Sequence, residues 1–302
     1  MSTLVYPTNR NGTHSSGNLA SYDKPSSALL ANPWVYFGAT FAWTWGFWGV
    51  ALLLKISVET PLGLVLPLLG VLGPLVTGIG FTYLTKNSAG QRDYWRRVID
   101  IRRIGLKWFL LLLFFVPVLN GLAALIDVVA GGAGAVLGES LVNVASNPFG
   151  LVLSALFATL IPFIEELGWR GYALDRLQAT RSALLSTLIL GSAWSLWHLP
   201  LFFAEGTYQA SLGVGTPAFW LFLFGIIPLS FAFTWVYNNT NRSILAVILF
   251  HGMVNFTGEL FDISERANTI SMILWVIAAI GITLFWGPKR FTRQPPLNQG
   301  DE

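Results

Sequence analysis

The stretch Glu165-Glu166-Leu167-Gly168-Trp169-Arg170-Gly171 places two carboxylates and a guanidinium directly after the apolar run 149–164. A charged side chain is costly in hydrocarbon, so inside a membrane segment it normally faces a bundle interior or a wet cavity and serves function. The alternative is that the helix leaves the membrane at this point and water hydrates the charges. Histidines in two later apolar segments favour the first interpretation.

The composition predicts an all-α, polytopic membrane protein. Of 302 residues, 54% are hydrophobic and 11% are charged, and 13 are tryptophan, a balance that a water-soluble domain could not bury. The net charge is only +3, so basic residues report membrane topology and not a nucleic-acid surface. The chain has no cysteine, which excludes disulfides, thiolate nucleophiles and cysteine-ligated metal.

Eight apolar runs are long enough to cross about 30 Å of hydrocarbon at about 1.5 Å per residue. They are 34–54, 62–84, 108–130, 149–167, 183–203, 217–237, 243–258 and 269–287. We therefore divide the chain into a disordered cytoplasmic tail at 1–33, an eight-span membrane domain at 34–288 with a motif core at 149–258, and a basic C-terminal tail at 289–302.

The distribution of lysine and arginine predicts the orientation. Basic residues concentrate in 86–107, in 170–181 and in the C-terminal tail, whereas the intervening loops are net acidic. Because cytoplasmic loops carry the excess of basic residues, both termini are expected in the cytoplasm. Residues 91–103 mix arginines with aromatic and aliphatic residues, which fits either an amphipathic helix on the anionic inner leaflet or plain topology charge.

Two of the three histidines, His198 and His251, lie inside apolar runs. His251 and Asn255 are four residues apart and share one helix face, and Trp194 and His198 have the same spacing. A lone histidine in such a segment is often a hydrogen-bonded packing residue. Two of them beside a carboxylate pair favour a common polar site.

The carboxylate pair predicts a division of roles. Glu166 and Arg170 have the spacing and order of a helix ion pair, so we expect both to support the fold. Glu165 points about 100° away around the helix and is left free to act as a general base.

Together the three segments resemble a known family. Glu165-Glu166 with Arg170, then Trp194 with His198, then His251 with Asn255 match, in order, the EExxxR, aromatic-xxx-His and HxxxN motifs of the CPBP intramembrane proteases. This family groups type II CAAX prenyl endopeptidases with bacteriocin-processing and abortive-infection-like proteins. One departure is visible: Trp194 stands where the family usually has Phe.

The resemblance implies an eight-span helical fold that cleaves a membrane-anchored peptide or protein, with a prenylated CAAX protein as one substrate class. It assigns Glu165 and His198 to water activation and His251 and Asn255 to the oxyanion, with Glu166, Arg170 and Trp194 in support. No cofactor is favoured. A zinc-dependent version stays open, because Glu165, His198 and His251 are formally a zinc ligand set.

Two other function classes compete with a protease. Buried glutamate and histidine residues also form relays in ion- or proton-coupled transporters, but no paired broken helices are apparent here. An inactive scaffold or immunity protein of the same fold is the second alternative. The expected surroundings are the lipid bilayer of a prokaryotic plasma membrane, with a membrane-anchored substrate and no nucleic acid.

Overall fold

The computed structural model describes residues 23–24, 29–56, 60–137 and 148–293, and these are predominantly helical. The helices are α1 Pro33–Leu53, α2 Pro61–Val71, α3 Gly73–Thr85, α4 Ser88–Ile99, α5 Leu106–Val129, α6 Pro148–Gly168, α7 Leu174–Gln178, α8 Ala183–Trp197, α9 Tyr208–Ser211, α10 Pro217–Asn239, α11 Ile244–Leu260 and α12 Glu265–Trp286. Each of the eight predicted apolar runs is helical. Most of residues 1–33, and residues 294–302, lie outside the described residues.

Local sequence explains where several of the apolar helices begin. Asn32 and Thr216 cap α1 and α10 by accepting a hydrogen bond from a backbone N–H of the first turn. A proline follows each cap, at a position where its missing N–H is not needed and its fixed φ suits the helix. Ser182 caps α8 in the same way without a proline.

The all-α, polytopic prediction is confirmed. Among the described residues, five helices have the length and composition of a membrane span, and the pair α2 and α3, bent by 40° at Leu72, brings the number to six. The remaining apolar helices are α1, with 21 residues and several tryptophans, and α11, with 17 residues. The count of eight spans therefore stays a prediction.

A small polar cluster closes one end of the bundle. Strands β1 Ala135–Leu137 and β2 Phe261–Ile263 pair antiparallel there. The fully buried carboxylate of Asp127 accepts hydrogen bonds from the Gly134 N–H at 2.8 Å and the Ser264 hydroxyl at 2.7 Å, and it pairs with Arg266. These contacts join the end of α5 to the start of α12.

Close helix approaches hold the middle of the bundle. Gly78 on α3 faces Gly168 at the end of α6, where a Cβ on Gly78 would lie 2.6 Å from the Gly168 Cα. Gly252 on α11 faces Thr159 on α6, where an added Cβ would lie 2.6 Å from the threonine hydroxyl. Small residues allow such approaches in membrane bundles. They seat the carboxyl end of α6 between α3 and α11.

Helix α4 covers the opposite end of the bundle from the strands. Its Tyr94 and Arg97 are completely buried, and Arg97 pairs with Asp93 at 3.1 Å and with Asp175 at 3.0 Å. The hydroxyl of Tyr237 donates to Asp175 at 2.7 Å. The inward face of α4 thus packs on protein, and only its outer face, with Arg92 and Arg96, is exposed.

Candidate active site

A π-helical turn, Trp169–Ala173, follows α6 and separates it from α7. Such turns often mark functional sites, because the wider helix leaves backbone groups without their usual partners. Here the Tyr94 hydroxyl donates to the Leu167 carbonyl at 2.9 Å, and burial raises the pKa of Tyr94 so that it stays a donor. Helix α4 therefore braces the turn that carries Arg170.

Glu166 is the centre of a fully buried ion cluster. Both of its oxygens accept from Arg170 Nη1, at 2.8 and 3.0 Å, which is the predicted helix ion pair. Its Oε1 also lies 3.0 Å from His251 Nδ1 on α11. Because an ionised carboxylate only accepts, His251 donates through Nδ1 and turns Nε2 away from Glu166. Glu166 thus also orients His251.

Glu165 has a different environment from its neighbour. Its side chain is only 3% exposed, and its Oε2 accepts from the Trp194 indole N–H at 2.5 Å. No second side-chain donor reaches Glu165 in the part of the chain that the structure describes. With Glu166 and Arg170 also buried, the alternative of a hydrated helix end is wrong.

His198 ends α8, where it is the C-cap. Its Nδ1 lies 2.8 Å from the Trp194 carbonyl oxygen. A carbonyl can only accept, so Nδ1 carries the proton and Nε2 of the neutral ring keeps its lone pair. A backbone contact within one helix thus leaves Nε2 as an acceptor for a water or a substrate.

Trp194 brings the two histidines together. Its ring centroid lies 5.9 Å from that of His198 and 5.2 Å from that of His251. The Arg170 guanidinium covers the same indole at 4.8 Å. One indole therefore contacts the candidate base and both imidazoles.

Asn255 is the predicted site residue that stands apart. It lies one helical turn beyond His251, and its amide donates to the Ala158 carbonyl on α6 at 3.4 Å. Ala158 precedes Glu165 by seven residues, or about 10 Å along the helix axis. In this structure the amide is therefore not aimed at the Glu165 and Trp194 pair.

The sequence interpretation missed the contribution of α10. Ser230 lies 3.4 Å from Arg170 Nη2, and Phe233 packs on both His251, at 5.2 Å, and Arg170, at 4.7 Å. The sequence did hold a signal for this helix, since Ser230 and Thr234 are hydroxyl residues four apart in an apolar run. The structure buries both of them fully. Phe222 on the same helix contacts His198 at 5.4 Å.

Glu165, His198 and His251 are the possible ligands of a metal ion. In the described ranges, no three histidine or carboxylate side chains converge closely enough to hold a metal ion. Nδ1 of each imidazole has a hydrogen-bond partner, and Nε2 of each is left available, as it also is in histidines that bind metals. Because no three ligands converge in the described ranges, we derive no step through a metal.

Comparison with known proteins shows which family this chain resembles. Residues 147–257 match the family model described as type II CAAX prenyl endopeptidase Rce1-like. A curated protein of Methanococcus maripaludis, CAAX prenyl protease 2, is 29% identical over 263 residues, which cover 86% of this chain and 96% of the relative. The chain is thus similar to the type II CAAX prenyl endopeptidases, and the segment that matches the Rce1-like model contains every predicted site residue.

Proposed function

We propose that this chain is an intramembrane endopeptidase that hydrolyses a peptide bond of a membrane-anchored protein or peptide through a water activated by Glu165. The observation that carries the proposal is the convergence of Glu165, His198 and His251 on one indole, inside a bundle with several membrane-length helices. A buried carboxylate with two imidazoles near it has the parts needed for general acid–base hydrolysis.

The reaction needs one proton to move twice. A water held between Glu165 and His198 Nε2 loses a proton to Glu165 as its oxygen attacks the scissile carbonyl carbon. The tetrahedral intermediate then collapses, the C–N bond breaks, and Glu165 returns the proton to the leaving amine. The products are a carboxylic acid and an amine, which ionise to a carboxylate and an ammonium group, and Glu165 ends ionised as it began.

His251 is assigned to the oxyanion. With Nδ1 held by Glu166, a protonated Nε2 donates to the negative oxygen, a contribution worth about 2.7–4 kcal/mol for one such donor. Asn255 has the same assignment from the family resemblance. Its 3.4 Å bond to Ala158 is long for an N–H donor, so a substrate oxygen can replace that acceptor at little cost.

The substrate class follows from the relatives and the setting. The curated relative is a CAAX prenyl protease, and we extend that substrate class, a prenylated protein with a C-terminal CAAX-like sequence, to this chain. We place the protein in a prokaryotic plasma membrane with both termini in the cytoplasm.

Reporter fusions test the orientation. The basic loop 86–107 and both termini are expected inside, and the segment around Glu139 outside. Two reporters are used, one active only in the cytoplasm and one active only outside the membrane. After Arg103 only the cytoplasmic reporter should be active, and after Glu139 only the external one. The opposite pattern at either point contradicts the orientation.

A cleavage assay with Glu165→Gln tests the mechanism. The substitution keeps the shape and the bond from Trp194 but removes the base, so turnover of a prenylated CAAX peptide should fall at least about 1,000-fold while the melting temperature changes little. Glu259→Gln, an exposed carboxylate on α11, is the matched control and should cleave normally.

Each variant is assayed with and without chelator, and its metal content is measured. Undiminished cleavage by Glu165→Gln contradicts the proposed mechanism. Chelator-sensitive turnover together with stoichiometric bound zinc would replace it with the zinc-dependent version of the same protease.

A further inference from the structure

An apolar groove lies on the membrane-facing side of the bundle, apart from the candidate active site. Its volume is about 370 Å³, and nine residues of α8, α10 and α12 line it. They include Leu188 of α8, Phe231 of α10, and Val276, Ile280, Thr283 and Leu284 of α12. The one hydroxyl, on Thr283, donates to the Ala279 carbonyl of its own helix at 2.8 Å, so the groove offers an apolar wall.

The groove opens outward and shares no residue with the site. Leu188, Ile280 and Leu284 are exposed at its rim, on helices of predominantly apolar sequence. Between Val276 and Leu284 the groove follows α12 for about 12 Å. Trp194, which carries the site contacts on α8, points about 120° away from Leu188 around that helix.

One end of the groove leads to positive charge. The chain after α12 folds back, because the fully buried Phe291 packs against Phe231 of the groove wall at 5.5 Å. Backbone bonds fix the fold: Ala183 N–H donates to the Lys289 carbonyl at 2.8 Å, and Leu184 N–H to the Pro288 carbonyl at 3.0 Å.

These bonds hold two cationic residues, Lys289 and Arg290, at one end of the groove. Leu184 is one helical turn from Leu188 and donates to the Pro288 carbonyl, so Lys289 and Arg290 stand about one turn beyond the groove. Both side chains are exposed, and neither forms an ion pair with a carboxylate of the described ranges. An apolar groove in the hydrocarbon with free cations at its end is complementary to a lipid with an anionic headgroup.

We propose that this groove is a binding site for one anionic phospholipid, with an acyl chain along α12 and the phosphate headgroup on Lys289 and Arg290. The site is independent of peptide hydrolysis. Each cation near an anionic headgroup strengthens binding about five-fold, so the pair should give about a 25-fold preference for phosphatidylglycerol over phosphatidylcholine.

Native mass spectrometry of the purified full chain in detergent tests the site, with phosphatidylglycerol and phosphatidylcholine titrated separately. The double variant Lys289→Gln with Arg290→Gln should bind the two lipids equally. The matched control Arg92→Gln with Arg96→Gln, which neutralises two exposed arginines on α4, should keep the full preference. Ile280→Trp fills the groove and should weaken the binding of both lipids about equally.

Three outcomes overturn the proposal. Equal affinity of the wild-type chain for the two lipids contradicts the proposed contact between the headgroup and the two basic residues. If the α4 control loses as much preference for phosphatidylglycerol as the variant of Lys289 and Arg290, the preference comes from general charge attraction and not from this site. A prenylated peptide that displaces phosphatidylglycerol from the wild-type chain but not from Ile280→Trp would assign the groove to the substrate. Thermal melting confirms that every variant is folded before its binding is compared.

Discussion

Replacing Trp194 with phenylalanine isolates one hydrogen bond at the proposed base. Phenylalanine keeps an aromatic ring against His198 and His251. What disappears is the indole N–H that donates to Glu165 Oε2 at 2.5 Å. The variant therefore separates the effect of that bond from the effect of ring packing.

The expected magnitudes follow from the charge on Glu165. A hydrogen bond to a charged group is worth about 1.5–3 kcal/mol and one between neutral groups about 0.5–1.5 kcal/mol. The proposed reaction converts Glu165 from charged to neutral as it takes the proton from water. The bond thus stabilises the ground state by about 1 kcal/mol more than the transition state, so its loss should raise kcat about five-fold. Folding stability should fall by about 1.5–3 kcal/mol, because the donor to a buried carboxylate is gone.

Trp197→Phe is the matched control on the same helix. Its indole N–H donates to the neutral Thr44 hydroxyl at 2.9 Å, and its ring also touches His198, at 4.8 Å. We expect a stability loss of only about 0.5–1.5 kcal/mol and an unchanged kcat. The assay is steady-state cleavage of a prenylated peptide in detergent, with thermal unfolding in parallel. A ten-fold or larger fall of kcat in Trp194→Phe would refute the reasoning, because it would mean that the bond acts mainly by orienting Glu165.

Two further predictions concern the support of the site. Exchanging the ion pair, Glu166→Arg with Arg170→Glu, should restore folded protein relative to either single variant, each of which costs about 3–5 kcal/mol by leaving a buried charge unpaired. Activity should stay low in the exchanged variant because His251 loses its acceptor, and a fully active exchange contradicts that role of Glu166. Gly252→Ala should cost about 1–3 kcal/mol in thermal unfolding, since its Cβ would press on α6, whereas Gly258→Ala on the same helix meets nothing within 4 Å and should be neutral; equal effects contradict the packing account.

Hydrophobicity and short-range spacing made part of this arrangement predictable. The apolar runs became helices because their length and composition suit few other structures in a membrane. The Glu166 and Arg170 pair was predictable because four residues bring side chains to one helix face, and the structure has that bond. Both rules use only neighbours in sequence, so they need no knowledge of how the helices pack.

The rest depends on packing between distant segments. Glu166 and His251 are separated by 85 positions, and nothing on either helix alone indicates that α6 and α11 place them 3.0 Å apart. The π-helical turn was also not predicted from the sequence, because its support comes from Tyr94 on α4. Residues 91–103 looked suited to a membrane surface, since the sequence does not reveal the buried partner Asp175.

The unequal partners of the two adjacent carboxylates give the site its division of roles. Glu166 is compensated by Arg170 and anchored to His251, so both of its oxygens are occupied by donors that the fold holds in place. Among the residues that the structure describes, the one side-chain donor to Glu165 is a neutral indole, which leaves its charge the uncompensated one in the cluster. An uncompensated buried charge is costly unless a proton or a polar substrate neutralises it. The fold thus pairs the Arg170 guanidinium with the carboxylate that positions His251. In the proposed mechanism, this leaves Glu165 as the group for which taking a proton from water is favourable.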